Sequence, residues 1–328
     1  MADGFEFFKS SDSGAPVLNG AAGRMLAVLD WVLVGKGGWS KEHDGTANLA
    51  SYRSTTGNRY YLRVDDRGAL QTLLRGYQTM SGPSTGTGIF PTTTQASLTD
   101  YGLIKSELAG TAPIEYFGIR TNRFFLIVIS DSEEASYIPR CVYAFGDVKS
   151  HAISDAHNTV LIGSKFSAFN GHPYGTGAML ALSQISPDLA LPEEYYRVVV
   201  PKNTVGTLNN PTTALVVTIH PTMSSSGTNT TTGPISGGLT MSDVMVFSEH
   251  TSSAGNYLRM IIPNIKVLYE AVPVQQTTGF ATYDKEAFTL NGKSYLTFVD
   301  YRYLAGTNDN LKTRGLLLET SDTDPNLL

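Results

Sequence analysis

Charge is scarce in this sequence. Asp, Glu, Lys and Arg make up only 16% of the 328 residues, against roughly 25% in typical soluble domains. The net charge is −5, and basic residues nowhere form a run longer than two. A protein that binds nucleic acid needs a basic surface to neutralise the phosphates. We therefore expect no direct contact with nucleic acid.

Cysteine and long apolar stretches are scarce too. The single cysteine, Cys141, cannot form an internal disulfide, which indicates folding in a reducing compartment. It lies in IPRCVYAF, a stretch typical of a strand, and we expect its thiol to be buried and inert. No segment approaches the ~20 apolar residues that cross a bilayer, and the N-terminus lacks the pattern of a signal peptide. We expect no membrane insertion.

One helix is predicted near the N-terminus, in NGAAGRMLAVLDWVLVGKGG. Asn19 is the expected N-cap, and the glycines at 35, 37 and 38 are expected to end the helix. Apolar residues at helical spacing cover nearly its whole circumference: Ala22, Leu26, Val28, Leu29, Trp31, Val32 and Leu33. Such a helix needs cover on more than one side, from its own sheet or from a neighbouring subunit.

Strands dominate the rest of the chain. Short apolar runs punctuated by Gly, Pro, Asn and Asp predict twelve of them. They are Arg59–Val64, Gln71–Tyr77, Arg123–Ile129, Ile138–Phe145, Thr159–Ile162, Tyr195–Val200, Ala214–His220, Asp243–Phe247, Tyr257–Ile262, Lys266–Glu270, Ser294–Val299 and Leu316–Glu319. Because βαβ spacing is nearly absent, we expect an all-β sandwich or barrel-like fold with one N-terminal α-helix and long Gly/Thr/Ser-rich loops.

Two segments are predicted to be long loops, Thr79–Gln95 and Thr222–Ser242. The second is so rich in Ser, Thr and Gly that it cannot bury enough apolar surface to order itself alone. It is either a plain loop or an arm laid on a neighbouring subunit. A connector at Pro187–Pro192 suggests two β-rich lobes, residues 1–186 with the helix and residues 187–328, with one single domain as the alternative.

The adjacent carboxylates Asp65 and Asp66 are the first candidate site, in RYYLRVDDRGALQTLLRGY. Neighbouring residues of a strand point to opposite faces, so in a strand the two carboxylates cannot converge on one substrate. The letters DDRG instead have the composition of a short hairpin loop, in which we expect Gly68 to take a positive φ. We predict a hairpin rather than a catalytic pair.

The stretch HAISDAHN contains the best candidates for metal ligands. In an extended strand His151, Asp155 and His157 would share one face, and all three are valid ligand types. No fourth ligand is nearby, and the Ser and Asn residues indicate a solvated loop. HExxH and a complete P-loop are absent from the sequence, and we expect no GxSxG nucleophile elbow, although GPSTG at residues 82–86 has those letters. We predict no catalytic residue, no metal ligand and no cofactor.

Four stretches follow one another in an informative order. They are SSDSGAPVLNGAAGRMLAVLDWVLV, GWSKEHDGTANLASYRSTTGNRYYLRVDD, LRGYQTMSGPSTGTGIFP and TNRFFLIVIS. Together, over about residues 8–150, they resemble a family of tailed-bacteriophage virion structural proteins. Weaker similarity continues in LNGKSYLTFVDYRY and RGLLLETSDT. None of these stretches is a catalytic signature, so the resemblance implies a setting and not a reaction.

The resemblance implies a non-enzymatic, multi-copy virion component of the tail, baseplate or neck, made in the host cytoplasm. Its expected partners are copies of itself and other virion proteins. The alternatives are a capsid decoration protein and an appendage that binds a receptor or glycan on the host surface. The latter would use some of the 17 tyrosines, which equally fit cross-strand pairs or protein interfaces. A virion-bound polysaccharide hydrolase would need two carboxylates across a cleft.

Overall fold

The computed structural model describes residues 4–90, 101–106, 110–130, 141–165, 197–204, 206, 214–218, 239–248, 257–270, 285, 287–299 and 313–321. Over these residues the chain is mostly β-strand, with one helical segment near the N-terminus. This confirms the predicted all-β fold with one N-terminal helix. The predicted lobe boundary at 187–192 lies outside the described residues.

The strands have the following bounds in chain order. They are β1 Glu6–Lys9, β2 Trp39–Thr46, β3 Leu49–Ser54, β4 Tyr61–Asp65, β5 Gln71–Tyr77, β6 Thr79–Gly82, β7 Thr85–Thr87, β8 Tyr101–Ile104, β9 Glu115–Arg120, β10 Phe124–Ser130, β11 Cys141–Asp147, β12 Thr159–Lys165, β13 Arg197–Val199, β14 Ala214–Thr218, β15 Leu239–Ser248, β16 Tyr257–Glu270, β17 Ala287–Leu290, β18 Lys293–Val299 and β19 Thr313–Glu319. Each of the twelve predicted strands overlaps one of these, and two predicted strands belong to the single strand β16.

Two large antiparallel sheets organise the strands. The first has the order β1-β9-β10-β11-β12-β8-β5-β4-β3-β2, with β13 also paired to β12. The second has the order β14-β15-β16-β19-β18-β17, and β6 and β7 form a separate hairpin. Strand β12 is the junction of the first sheet, because its residues 159–162 pair with β11 whereas residues 164–165 pair with β8. The predicted loop Thr79–Gln95 is therefore wrong over residues 79–82 and 85–87, which form β6 and β7.

Two hydrophobic clusters give the fold three layers. The first joins the helix and strands β3–β5 to one face of β9–β12, and its members include Leu26, Val28, Tyr52, Leu62, Val64, Phe125, Ile127, Tyr143 and Phe145. The second joins the opposite face of β9–β12 to the second sheet, and its members include Ile119, Leu126, Val128, Val142, Ile162, Val246, Met260, Phe298 and Leu318. All seven residues of β10 are buried, because this strand has a core on each face.

The helix begins later than predicted. Helix α1 spans Arg24–Leu29 and continues as a π-helical segment, Asp30–Gly35. Its N-cap is Gly23, in a left-handed conformation and without a side-chain cap, so the prediction of Asn19 as N-cap is wrong. The Asn19 side chain instead accepts a hydrogen bond from the Ala21 N–H at 2.9 Å, in a local turn. Trp31 packs against the first cluster, and six residues of the helical segment belong to it: Met25, Leu26, Val28, Leu29, Val32 and Leu33. Val34 is 38% exposed, so the cover expected on more than one side stays a prediction.

Candidate functional site

The predicted hairpin around Asp65 and Asp66 is confirmed. Strands β4 and β5 pair antiparallel, with Asp65 opposite Leu73. The expected positive φ at Gly68 is wrong, because the left-handed residue of the loop is Leu70, with a φ of 67°. The backbone of Leu70 is held on both sides: its N–H donates to the Gly20 carbonyl and its carbonyl accepts from the Lys105 N–H, each at 2.8 Å.

The two carboxylates have different partners. Asp65 accepts hydrogen bonds from the guanidinium groups of Arg63, at 3.0 Å, and Arg67, at 2.6 Å. The hydrogen bond from Arg67 and the positive charges of Arg63 and Arg67 outweigh desolvation and lower the pKa of Asp65. Among the described contacts, Asp65 therefore binds two arginines of the hairpin, and these are not partners of Asp66.

Asp66 is buried completely and supplies the cap that helix α1 lacks locally. One of its oxygens accepts the N–H groups of Met25 and Leu26, at 2.8 and 3.2 Å. The other accepts the Thr72 hydroxyl at 2.6 Å and the Lys105 ammonium at 2.5 Å. A carboxylate at a helix N-terminus satisfies backbone donors that have no partner in the helix. Both oxygens of Asp66 therefore accept hydrogen bonds that join helix α1 to the β4–β5 hairpin.

Lys105 is a structurally important residue that was not predicted from the sequence. Its side chain is fully buried, and its ammonium also donates to the carbonyls of Ala21, at 2.9 Å, and Gly68, at 3.1 Å. All three ammonium hydrogens thus have acceptors. The only signal in the sequence is a lone lysine directly after the apolar stretch YGLI. That signal does not identify a partner 39 residues away.

The candidate metal ligands lie in a loop between β11 and β12, not in a strand. Asp155 is bound by Arg259 through two hydrogen bonds, at 2.8 and 3.2 Å, and both side chains are buried. Burial alone would raise the pKa of Asp155, but the hydrogen bonds and charge of Arg259 and the Ser150 hydroxyl hold it below the ordinary value. Within the described ranges, no group of three His, Cys, Asp or Glu side chains could hold a metal ion. The Asp155 carboxylate is paired with the Arg259 guanidinium, which also donates to the His157 carbonyl.

A further buried carboxylate, Asp147, ends β11. Its oxygens accept the N–H of Asn58 at 2.6 Å and the hydroxyl of Thr159 at 2.5 Å. Burial raises the pKa of Asp147 more strongly than these hydrogen bonds and the charge of Arg123 lower it. Gly57, with a φ of 74°, lets the chain approach this carboxylate, since a Cβ there would lie 2.1 Å from an Asp147 oxygen. Asp147 therefore joins the loop between β3 and β4 to strands β11 and β12 of the first sheet.

The loop that contains Asp155 presents an isoleucine to solvent. Ile153 is 95% exposed and lies between His151 and His157, whose backbone N–H groups are both hydrogen-bonded. The His151 N–H donates to the Arg259 carbonyl at 2.7 Å, and the His157 N–H donates to Asp155 at 2.9 Å. The Arg259 guanidinium also donates to the His157 carbonyl at 2.8 Å. We call residues 151–157 the Ile153 loop.

A second exposed apolar surface lies at the edge of the second sheet. All four residues of β17 are exposed, and Phe288 and Leu290 expose 36% and 39% of their surface. These two residues lie on the same face of the strand, and Phe288 stacks on Tyr295 of β18 with ring centroids 5.4 Å apart. Asn291 and Gly292 form the two-residue turn, both with positive φ. We call Phe288 and Leu290 the β17 patch.

Comparisons with known proteins add no family. No protein-family model matches this chain, and no curated protein matches it. In the part of the chain that the structure describes, no helix is long and apolar enough to cross a membrane. The strand expected around Cys141 is present as β11. The predicted loop Thr222–Ser242 lies outside the described residues up to position 238 and is wrong over residues 239–242, which begin β15.

Proposed function

We propose that this protein is a non-enzymatic structural subunit of a tailed-bacteriophage virion, present in several copies in the tail, baseplate or neck. The observation that carries the proposal is the ordered resemblance of residues 8–150 to virion structural proteins. The same stretch supplies most of the first sheet and the whole of the helix. Its partners would be copies of itself and other virion proteins.

The use of the buried carboxylates supports this proposal. Asp66 and Asp155 each form an ion pair inside the protein and accept further hydrogen bonds. Asp147 accepts its hydrogen bonds from two neighbouring segments of the fold. A general acid or base must be free to reach a substrate proton. These three side chains instead join loops and a helix to sheets.

Labelling of intact particles tests the proposal. Particles are incubated with an antibody against this chain and observed by electron microscopy, after mass spectrometry of the purified particles for its peptides. We expect peptides in the particle and label on the tail, baseplate or neck. Label spread over the head would make the protein a capsid decoration protein. Absence of the peptides from purified particles would contradict the proposal.

A further inference from the structure

Two Asn–Gly pairs lie among the described residues, Asn19–Gly20 and Asn291–Gly292, and a third, Asn170–Gly171, lies outside them. In such a pair the backbone nitrogen of the glycine can attack the side-chain amide carbon of the asparagine, because glycine has no Cβ to obstruct the approach. The attack closes a five-membered succinimide ring. This reaction is one reason why asparagine is a thermolabile residue. The structure gives the two described pairs very different surroundings.

The pair at Asn19 is held inside the protein. Asn19 is only 4% exposed. Its side-chain oxygen accepts a hydrogen bond from the Ala21 N–H at 2.9 Å, and its side-chain nitrogen donates to the Thr111 carbonyl at 3.5 Å. Turning the amide carbon towards the Gly20 nitrogen would break both hydrogen bonds where water cannot replace them. We therefore expect Asn19 to stay intact in the folded protein.

The pair at Asn291 is at the surface. Asn291 and Gly292 are both exposed and form the turn between β17 and β18. A Cβ at Gly292 would meet nothing within 4 Å, so no neighbouring group crowds the attacking nitrogen. Water, which must open the succinimide ring, has free access. Both the first and the second step of the reaction are therefore sterically possible here.

Ring closure requires this turn to open first. Asn291 and Gly292 have φ values of 52° and 78°, as a type I′ turn demands. In the left-handed conformation the side chain of Asn291 points away from the Gly292 nitrogen, so the asparagine must rotate about ψ. Among the described strands β17 pairs only with β18, through four residue pairs, and all four of its residues are exposed. Such a short exposed hairpin opens at a small cost in free energy.

We propose that Asn291 is a site of spontaneous deamidation, from which the fold protects Asn19. The Gly292 nitrogen bonds to the side-chain carbon of Asn291, and the amide nitrogen leaves as ammonia with the proton of the Gly292 N–H. Water then opens the ring at either carbonyl, giving aspartate or isoaspartate. The proposal goes beyond the proposed function and does not depend on it.

The two products differ in their effect on the hairpin. Aspartate followed by glycine still suits the turn. Isoaspartate routes the main chain through the side-chain carbon and so adds one atom to the turn. The longer turn no longer fits the register in which Leu290 lies opposite Lys293. We therefore expect the isoaspartate form to loosen the pairing of β17 with β18.

Peptide mapping of the aged full-length protein tests the proposal. The purified chain is kept at neutral pH and sampled over time, and trypsin then releases EAFTLNGK with Asn291 and SSDSGAPVLNGAAGR with Asn19. We expect aspartate and isoaspartate forms of the first peptide, at a rate within about tenfold of the same peptide free in solution. The second should stay intact. Persistence of Asn291 in the protein while the free peptide reacts, or equal rates at both positions, would overturn the proposal.

Unfolding the chain and replacing Asn291 provide the controls. In concentrated urea both asparagines should react at the rates of their free peptides, because the protection of Asn19 comes from the fold. A difference that persists in urea would place the cause in the local sequence and overturn the structural explanation. Asn291→Asp supplies the reference elution position of the aspartate product. This variant should fold like the wild type by circular dichroism, and a failure to fold would contradict the claim that aspartate suits the turn.

Discussion

The pair of Asp66 with Lys105 and the pair of Asp155 with Arg259 are alike in chemistry but differ in what they hold. Both are buried to 1% exposure or less. The first lies beside the first core, where it caps helix α1 and closes the β4–β5 hairpin. The second lies under a loop whose tip is in solvent. One buried pair therefore supports the interior, and the other determines the shape of the surface.

Removing the ammonium of Lys105 should give the largest effect. Lys105→Met leaves the Asp66 carboxylate buried without its counter-charge, and two carbonyls lose their donor. We expect a loss of about 3–5 kcal/mol in the free energy of unfolding, measured by urea denaturation. In an Asp66→Asn background the same change should cost far less, because no charge is left alone. Equal losses in the two backgrounds would refute the coupling of Asp66 with Lys105.

Breaking the second pair should cost less and act locally. Arg259→Met leaves Asp155 in a loop that can open and admit water, so we expect a loss of about 1–3 kcal/mol. Hydrogen exchange distinguishes the two regions. The amide of His157 should exchange faster in Arg259→Met while those of Met25 and Leu26 stay protected, and Lys105→Met should give the reverse. Faster exchange at all three amides in both variants would remove the distinction between the pairs.

The pH dependence of stability extends the comparison to Asp147. Its pKa in the folded protein is above the ordinary 3.8, so the folded state binds its proton more tightly and this contribution is lost as pH rises through the folded pKa. The pKa of Asp155 is lowered, so its contribution is lost as pH falls below 3.8. Relative to wild type, Asp147→Asn should gain stability as pH rises above 3.8. Denaturation midpoints over a pH series give the sign, and a gain on acidification would contradict it.

The smallest effect is expected at the tip of the Ile153 loop. Ile153→Ser removes a side chain that touches little of its own chain, so the free energy of unfolding should change by less than about 0.5 kcal/mol. Val28→Ala is the comparison, since Val28 is fully buried and its truncation leaves a cavity. Thermal denaturation of both variants measures the difference. A large loss for Ile153→Ser would mean that the isoleucine serves the fold.

Most of the interior strands could be predicted from the sequence because their side chains are of one kind. FFLIVIS, in β10, is apolar throughout and is buried on both faces. The strands that escaped prediction are mixed, such as WSKEHDGT in β2 and EYFGIR in β9. β2 lies at a sheet edge, where one side needs charge, and β9 contains the buried Arg120 that pairs with Glu6. Neither sequence has the regular alternation of apolar and polar residues by which a strand is recognised.

The candidate sites were harder because their partners are distant in sequence. Asp65 and Asp66 were correctly interpreted as part of a hairpin, since strand geometry alone separates them. Only the packed structure shows that Asp66 caps a helix 40 residues earlier in the chain. It also shows that Leu70, and not a glycine, is the left-handed residue of the loop. Asp155 was considered as a metal ligand because its counter-ion, Arg259, is 104 residues away. Residue types show that a carboxylate needs a partner, but only the fold shows which one.

The two-faced burial of β9–β12 has a consequence for synthesis on the ribosome. The first face packs mainly against residues up to 90, which are made before β9–β12, whereas the second packs mainly against residues from 244 to 318. At roughly 5–20 residues per second, the apolar face of Ile119, Leu126 and Ile162 waits on the order of ten seconds for its cover. During that interval we expect the nascent chain to bind chaperones or to aggregate more readily than the finished protein.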